Sequence, residues 1–423
     1  MGEAMSEELN TAPEVTIIGA GIVGICSALS LLEKGISVRI IDRNPPGSGA
    51  SHGNAGIISP WSFIPQSMPG TWKNIPSWVL DPDGPVSFSF SYLSRTLPWA
   101  VQFIKNMTES DVRRISDAME ILTSGSVELY RHHLSGTGHE DLVADSFYVH
   151  AFRQPERANI DNLDYKLRRE KGADIVRIDA GELSDLEPDL SKEFKAAVLI
   201  KGQARAISPG KIGEVLSRKA MRMGAEFVQE DVKDIRKSND DMWKITTNNG
   251  VHKSAKVLVA SGVWSAKLLK SLGYKLPLVA ERGYHVQFTK ASAQLHHSVM
   301  DVDRKVVGSS MSEGLRVAGT SEFAAIDAPP NKRRFESLKK HTKQMVPNLE
   351  FEETIEWMGH RPSFSDNLPV LGELPDHQGL YGAFGHSHYG LMMAPKTGKI
   401  IASMISGEHS NLDLSVFAAD RFK

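Results

Sequence analysis

The chain has 423 residues, 41% of them hydrophobic and 24% charged, with a formal net charge of −2. It is too long for one typical core and long enough for two domains, and its near-neutral balance offers no basic surface to nucleic acid. The single cysteine, Cys26, excludes a disulfide framework, a CxxC redox pair and a thiolate metal cluster.

Residues 1–12 read as a mobile tail. The opening Met1-Gly2-Glu3-Ala4-Met5-Ser6 fits a myristoylation pattern, but patterns this short recur by chance. Glu3, Glu7 and Glu8 give an acidic start where a signal peptide is basic. The uncharged stretch 15–32 approaches the length of a membrane span, yet its three glycines say otherwise. Val15-Thr16-Ile17-Ile18 is a β-branched run leading straight into Gly19-Ala20-Gly21-Ile22-Val23-Gly24, a G-x-G-x-x-G. An apolar helix follows over 25–32, then a second strand over 37–41 that ends at Asp42. This is a βαβ dinucleotide-binding unit. Gly19 allows the tight turn, Gly21 the approach of a pyrophosphate, and Gly24 close packing of helix on strand. The helix N-terminus offers free N–H groups to phosphate, and Asp42 stands where an acid accepts from a ribose diol.

The loop 43–56 is rich in glycine and serine, so its backbone can run close to a flat ligand. Residues 60–86 show no period. Helical patterns at 90–107 and 112–133 are expected to carry an inserted domain; their aromatics either touch a membrane quinone pool or pack as an ordinary domain, the simpler reading. Short strands and charged helical pieces alternate over 145–205. Ser208 reads as an N-cap and Pro209 as the first turn of a helix that runs to 223. Strands at 225–228, 232–235, 243–247 and 255–260 form a meander, closed by Ala260-Ser261-Gly262-Val263-Trp264-Ser265. Antiparallel strands occupy 277–326, and 333–345 is a helix. The tail carries Gly359-His360-Arg361-Pro362, Pro369, Gly372, a strand at 381–384, and Gly385-His386-Ser387-His388-Tyr389-Gly390 before a helix over 391–405. That last turn presents another helix dipole to an electron-rich atom. No carboxylate or cysteine joins its histidines at a ligand spacing, so no metal site is expected.

Together the N-terminal unit, the 51–56 loop, Ala260-Ser261-Gly262 and the Arg361-Pro362 to Gly390 tail resemble the D-amino acid oxidase superfamily of FAD enzymes. The likeness is strongest to bacterial D-amino acid dehydrogenases and to the related glycine, sarcosine and hydroxyproline oxidoreductases. It covers nearly the whole chain. The implied fold is mixed α/β, a Rossmann-like FAD-binding domain (13–86, 206–275 and 359–423) interleaved with a substrate domain of antiparallel sheet plus helices (87–205 and 276–358). The implied cofactor is FAD, and the sequence leans the same way, with one G-x-G-x-x-G and no thiol pair.

The resemblance also implies roles. Gly19, Gly21, Ile22, Val23 and Gly24 hold the pyrophosphate, Asp42 the ribose, and Arg43 the adenine side. Ser51, His52, Asn54, Ala55 and Gly56 run along the flavin, and Val232 meets the adenine. Ala260, Ser261, Gly262, Trp264, Gly385 and His386 complete the cofactor site. Gly390, Leu391 and Met392 aim N–H groups at the flavin N1/O2 edge, where charge collects on reduction. His52 resembles histidines that some relatives link to flavin, although its surroundings suit noncovalent packing equally.

Arg361 matches the arginine that grips a substrate carboxylate, a task suited to its bidentate fork; the other reading is a structural bridge between domains. Tyr284 either bonds that carboxylate, covers the pocket, or faces elsewhere on its strand, with His285 beside it. His388 lines the pocket. The expected reaction is hydride transfer from the Cα of a D-amino acid, the imine hydrolysing to a 2-oxo acid and ammonia. Glycine, sarcosine or hydroxyproline oxidation, a 2-hydroxy acid or glycerol-phosphate dehydrogenase, and a flavoprotein without turnover are the alternatives. Expected partners are a small amino acid and an electron acceptor, whether oxygen, a quinone or an electron-transfer protein. The expected setting is the cytoplasm, with at most peripheral contact at the inner membrane.

Overall fold

A computed structural model describes residues 12–89, 92–409 and 411–422. The N-terminal tail up to residue 11, with its acylation pattern, and Phe90, where the first expected central helix begins, lie outside the described residues. The short apolar strand Val15–Ile18 is wholly buried and pairs in parallel with Val38–Asp42 on one side and Lys256–Val259 on the other. Glu226–Gln229 and Leu380–Phe384 extend this parallel core, and Val370–Glu373 closes one edge antiparallel. Burial on both faces explains the near-continuous Val/Ile/Leu runs. The stretch 15–32 is therefore strand, loop and the helix Ile22–Leu32.

Helix Ile22–Leu32 lies against the final helix Gly390–Ile405 at a glycine crossing, where a Cβ on Gly398 would come within 2.5 Å of the Cys26 carbonyl. Burial there pushes the Cys26 thiol far above its ordinary range, so it stays protonated and inert.

The second sheet has ten strands. Its main order is Thr354–Ser363, Val279–Thr289, Gly314–Phe323, Val306–Met311, Ser298–Asp301, Val143–Phe152, Ala196–Ala206 and Ile57–Ile58. Strand alternation splits its residues. Tyr284, Val286, Phe288, Val299 and Val317 join a core with Phe335, Leu338 and Met345 of helix Lys332–Met345. Glu281, Gly283, Thr320, Met300, Tyr148 and His150 face the cavity described below.

The structure departs from expectation in three places. The stretch 112–133 is two helices, Glu109–Thr123 and Ser126–Leu134, broken at Gly125 with φ 68°. They share a core with Leu29, Met393 and Ile401, and the Tyr130 hydroxyl donates to the Leu391 carbonyl at 2.6 Å. They thus pack against the final helix, which their apolar faces complement. The expected meander loses its first and last strands: Glu226–Gln229 lies at the edge and Lys256–Val259 at the centre of the parallel sheet, and Val251–Ser254 completes the small sheet with Val232–Lys237 and Trp243–Thr247. Pro209 does open its helix, but the Ser208 hydroxyl donates to Glu313 at 3.1 Å rather than capping.

Candidate active site

The carboxyl ends of the parallel strands and the open face of the large sheet enclose one cavity of about 1420 Å³. Ligand pockets are typically about 300–1,000 Å³, so there is room for a large cofactor and a small substrate together. At one end lies the Gly19–Gly24 loop. Gly19 has φ 117°, and a Cβ there would strike the Ala260 carbonyl at 2.5 Å. Gly21 differs: a Cβ would meet nothing nearer than Ser51 Oγ at 4.0 Å. Nothing in the protein forbids a side chain at Gly21, whereas a group lying over the helix N-terminus would. The Ser51 hydroxyl accepts from the Ile22 N–H at 3.1 Å, marking where an oxyanion fits.

Asp42 Oδ2 accepts from the Ala20 N–H at 2.7 Å and Oδ1 from the Asn44 N–H at 2.9 Å. Each oxygen keeps a lone pair for a diol. The Arg43 guanidinium lies 4.2 Å over the Trp264 ring, building a flat shelf beside Val232. The whole set from Gly19 to Met392 predicted to touch cofactor lines this cavity, with three exceptions.

Those exceptions are Gly24, His52 and Gly56. Gly24 packs behind the loop, where a Cβ would come 2.0 Å from the Gly19 carbonyl. Gly56, with φ 85°, abuts the Ala206 carbonyl. His52 turns its ring away onto Gly210, whose missing side chain makes the space, and lies 6.2 Å from the Trp357 ring. Arg316, beside Gln287 on the same face of the sheet, holds the His52 and Asn54 carbonyls at 3.1 and 3.0 Å. Backbone capture of the loop thus sends the His52 imidazole outward, against the expectation that it runs along the flavin.

The far end of the cavity is built on Val279–Thr289 and Thr354–Ser363, paired with Glu281 opposite Arg361 and Gly283 opposite Gly359. Arg361 lies across Gly283, where a Cβ would fall 2.3 Å from its guanidinium carbon. Its Nη1 donates to Glu281 Oε1 at 3.3 Å and to the Thr320 carbonyl at 3.1 Å. Thr320 holds the left-handed φ of 58°, rare for a β-branched residue and common where strain serves a site. Among the described residues, the hydrogen bonds of Arg361 run through Nη1, leaving Nε and Nη2 without a partner, and the residue lines the cavity. Sequence reasoning missed Glu281, which is 2% exposed. It also accepts from Ser363 Oγ at 2.9 Å, from Ser321 Oγ, and from His388 Nε2 at 2.9 Å. Burial alone would raise its pKa; His388, Arg361 and Ser321 outweigh that and hold it well below the usual carboxylate range. Burial lowers the pKa of His388 and of Arg361. Near neutral pH the trio is a carboxylate, a guanidinium and a neutral imidazole.

Tyr284 borders the cavity, but its hydroxyl is engaged elsewhere than on a carboxylate in the cavity: it donates to Glu322 and accepts from the Asn331 N–H at 3.1 Å, on the side of Phe335. A one-residue step along a strand reverses the face, so Glu281 and Gly283 point where Tyr284 was expected. His285 shares their face, stacked 5.1 Å from Trp357 and bonded to the Gly53 carbonyl at 3.1 Å. His386 bonds Thr397 at 3.1 Å. The sequence signal for Glu281 was its place, two residues before Gly283 and directly after the apolar run Leu278-Val279-Ala280.

Comparison with known proteins agrees with this geometry. The family described as FAD dependent oxidoreductase (DAO) matches residues 14–404. The chain belongs to the DAO family. It is 35% identical over 416 residues to a protein of Bradyrhizobium diazoefficiens named D-amino-acid oxidase, covering 96% of this chain and 98% of that one. It is 28% identical to a D-amino acid dehydrogenase of Vibrio atlanticus, covering 95% and 99%. Among solved structures, glycine oxidase from Geobacillus kaustophilus has the same fold, with a TM-score of 0.74, 23% identity and coverage of 97% and 99%. This DAO-family chain is an FAD-dependent oxidoreductase. Its cofactor is FAD, and the bare Gly21 shelf, the Asp42 carboxylate lining the cavity and the size of the cavity fit that molecule. Among the described residues, no helix is long and apolar enough to cross a membrane.

Proposed function

We propose that this DAO enzyme oxidises a D-amino acid to the imino acid, which water converts to a 2-oxo acid and ammonia. The observation that carries the reading is the Arg361 guanidinium, laid over Gly283 in the cavity lining with two nitrogens left without a partner among the described residues. A D-amino-acid oxidase at 35% identity supports the choice of substrate class. In this reading Gly19, Gly21, Ile22 and Val23 hold the pyrophosphate, Asp42 the ribose, and Arg43 with Trp264 the adenine. The loop 51–55 flanks the flavin ring, with Ala260, Ser261, Gly262, Gly385 and His386 around it and the amides at Gly390, Leu391 and Met392 at its edge. FAD, when bound, supplies the hydride acceptor. Arg361 clamps the carboxylate, and the strand pair fixes how far Cα lies from the cofactor; orientation of this kind is the main lever. Catalysis needs an amine with a free lone pair, and His388 borders the place where it sits.

Anaerobic mixing with D-amino acids, glycine, sarcosine, hydroxyproline and 2-hydroxy acids tests the reading. The expected outcome is bleaching of the oxidised flavin band by one or more D-amino acids, faster than by the others. Bleaching only by glycine or sarcosine assigns the enzyme to small amines; no bleaching by any of them removes amine oxidation. Repeating turnover with oxygen or a quinone analogue identifies the acceptor. Leu93, Leu97, Val101 and Ile104 form an exposed apolar stripe on helix Leu93–Lys105, and Ile104 also lines the cavity, which favours an apolar acceptor.

Gly283→Ala gives a second check. The added methyl displaces the guanidinium without changing any charge. KM should rise about tenfold, the loss of one charge-assisted bond, with flavin content nearly unchanged and the melting temperature lowered, since the guanidinium is also drawn off buried Glu281. An unaltered KM would take Arg361 off the substrate.

A further inference from the structure

The trio of Glu281, Arg361 and His388 poses a charge problem that an amino acid solves. In the free site the carboxylate and the guanidinium cancel, and the imidazole is neutral. A substrate carboxylate docking on Arg361 would therefore leave a buried net charge of −1, which is strongly unfavourable away from water. An amino acid arrives with an ammonium, whose nitrogen has no lone pair and cannot form a C=N bond.

We propose that His388, oriented by Glu281, takes the proton that the amino acid zwitterion must shed on binding. One ammonium N–H bond breaks with its electron pair left on nitrogen, and a new N–H bond forms on Nδ1 of His388. No oxidant takes part. The product is two neutral pairs, substrate carboxylate with Arg361 and imidazolium with Glu281. This inference rests on the amino acid reading above and names the group that completes the site.

Geometry favours His388. Its Nε2 faces Glu281 Oε1 at 2.9 Å, so Nε2 carries the hydrogen and Nδ1 keeps a lone pair. The amide nitrogen of Gln66, an exposed residue also bordering the cavity, stands 3.0 Å from Nδ1 and 3.2 Å from Nε2, and the Ser387 hydroxyl lies 3.4 Å from Nδ1. Neither neighbour is charged, so both contacts are exchangeable for one from an ammonium. The charged groups facing His388 are Glu281 from strand Val279–Thr289 and Arg361 from Thr354–Ser363. Arg168 lies beyond Tyr389, held by the Trp61 and Asp164 carbonyls, and the Tyr389 hydroxyl is engaged by the Ile64 carbonyl at 2.9 Å. His150 also lines the cavity and has a buried ring nitrogen without a partner. Its strand lies four places from that of Glu281, roughly 19 Å at about 4.8 Å per strand, beyond the span of an amino acid gripped by Arg361.

Benzoate, a carboxylate without an amine, tests the proposal on the FAD-loaded protein, with perturbation of the flavin spectrum reporting binding. Because benzoate brings no proton, His388 must take one from water. Its affinity should fall about tenfold per pH unit across the neutral range. Glu281→Gln, which leaves Arg361 uncancelled, should bind benzoate tightly with no such slope. His388→Asn should bind it weakly at every pH, again without slope; the two variants depart in opposite directions, so either one that folds is informative. A flat wild-type profile between pH 6 and 9, or a slope surviving in His388→Asn, overturns the proton transfer. Absence of benzoate binding at any pH would instead sink the carboxylate site itself, and the proposal with it.

Discussion

Arg361→Ala should lower kcat/KM for the best substrate by two to four orders of magnitude while the protein stays yellow. Two charge-assisted hydrogen bonds to the carboxylate contribute about 1.5–3 kcal/mol each, so losing both removes roughly 3–6 kcal/mol of the binding that orients Cα. The substitution also strands Glu281, buried to 2% exposure, without its cation. Breaking a buried pair from one side costs about 3–5 kcal/mol, so the melting temperature should fall as well. The double variant with Glu281→Gln separates the two effects: it should regain most of the stability and none of the kcat/KM. Unchanged kinetics in Arg361→Ala would make the arginine a structural bridge, and the substrate reading would need another anchor.

Gly24→Val should give a colourless or insoluble protein. A Cβ at Gly24 would stand 2.0 Å from the Gly19 carbonyl and 3.4 Å from Ile17 Cγ2. Backbone holds one side of that contact and a core strand the other, so helix Ile22–Leu32 must lift off Val15–Ile18. Overpacking of this kind, with loss of the loop geometry, falls among the few substitutions worth more than about 4 kcal/mol. Gly21→Ala is the control. Its methyl has space in the protein, so the fold should survive while FAD affinity drops. The ratio of flavin to protein absorbance after gel filtration reads both variants; a Gly24→Val protein that keeps stoichiometric FAD would show that the helix can move without disturbing the loop.

The cofactor end was legible in the chain because its determinants are local. A β-branched strand, three glycines at fixed spacing, an apolar helix and a terminal acid are consecutive in sequence, and each answers to backbone sterics or to a helix dipole. Periodicity likewise found most helices of the second half within a residue or two. It did not find the break at Gly125, whose φ of 68° ends one helix and starts another without proline. Nor did it say which core helices 109–123 and 126–134 would join, because an amphipathic face carries no address.

The substrate end depended on long-range pairing. Arg361 was visible from its motif, but its partner Glu281 lies 80 residues away and meets it only because Val279–Thr289 and Thr354–Ser363 run antiparallel in that register. Face, too, was decided there. The pleat sends Tyr284 toward Phe335 and Glu281 toward the cavity, a difference of side that a single strand read alone does not reveal. His52 was settled by Arg316 and Gly210, residues remote in sequence. The chain by itself thus determined the family, the cofactor and the nucleotide loop, since those rest on contiguous backbone geometry. Only the tertiary structure decided which side chains meet at the far end of the cavity, since that rests on strand register and on Glu281, Arg361 and His388 brought together from three separate segments.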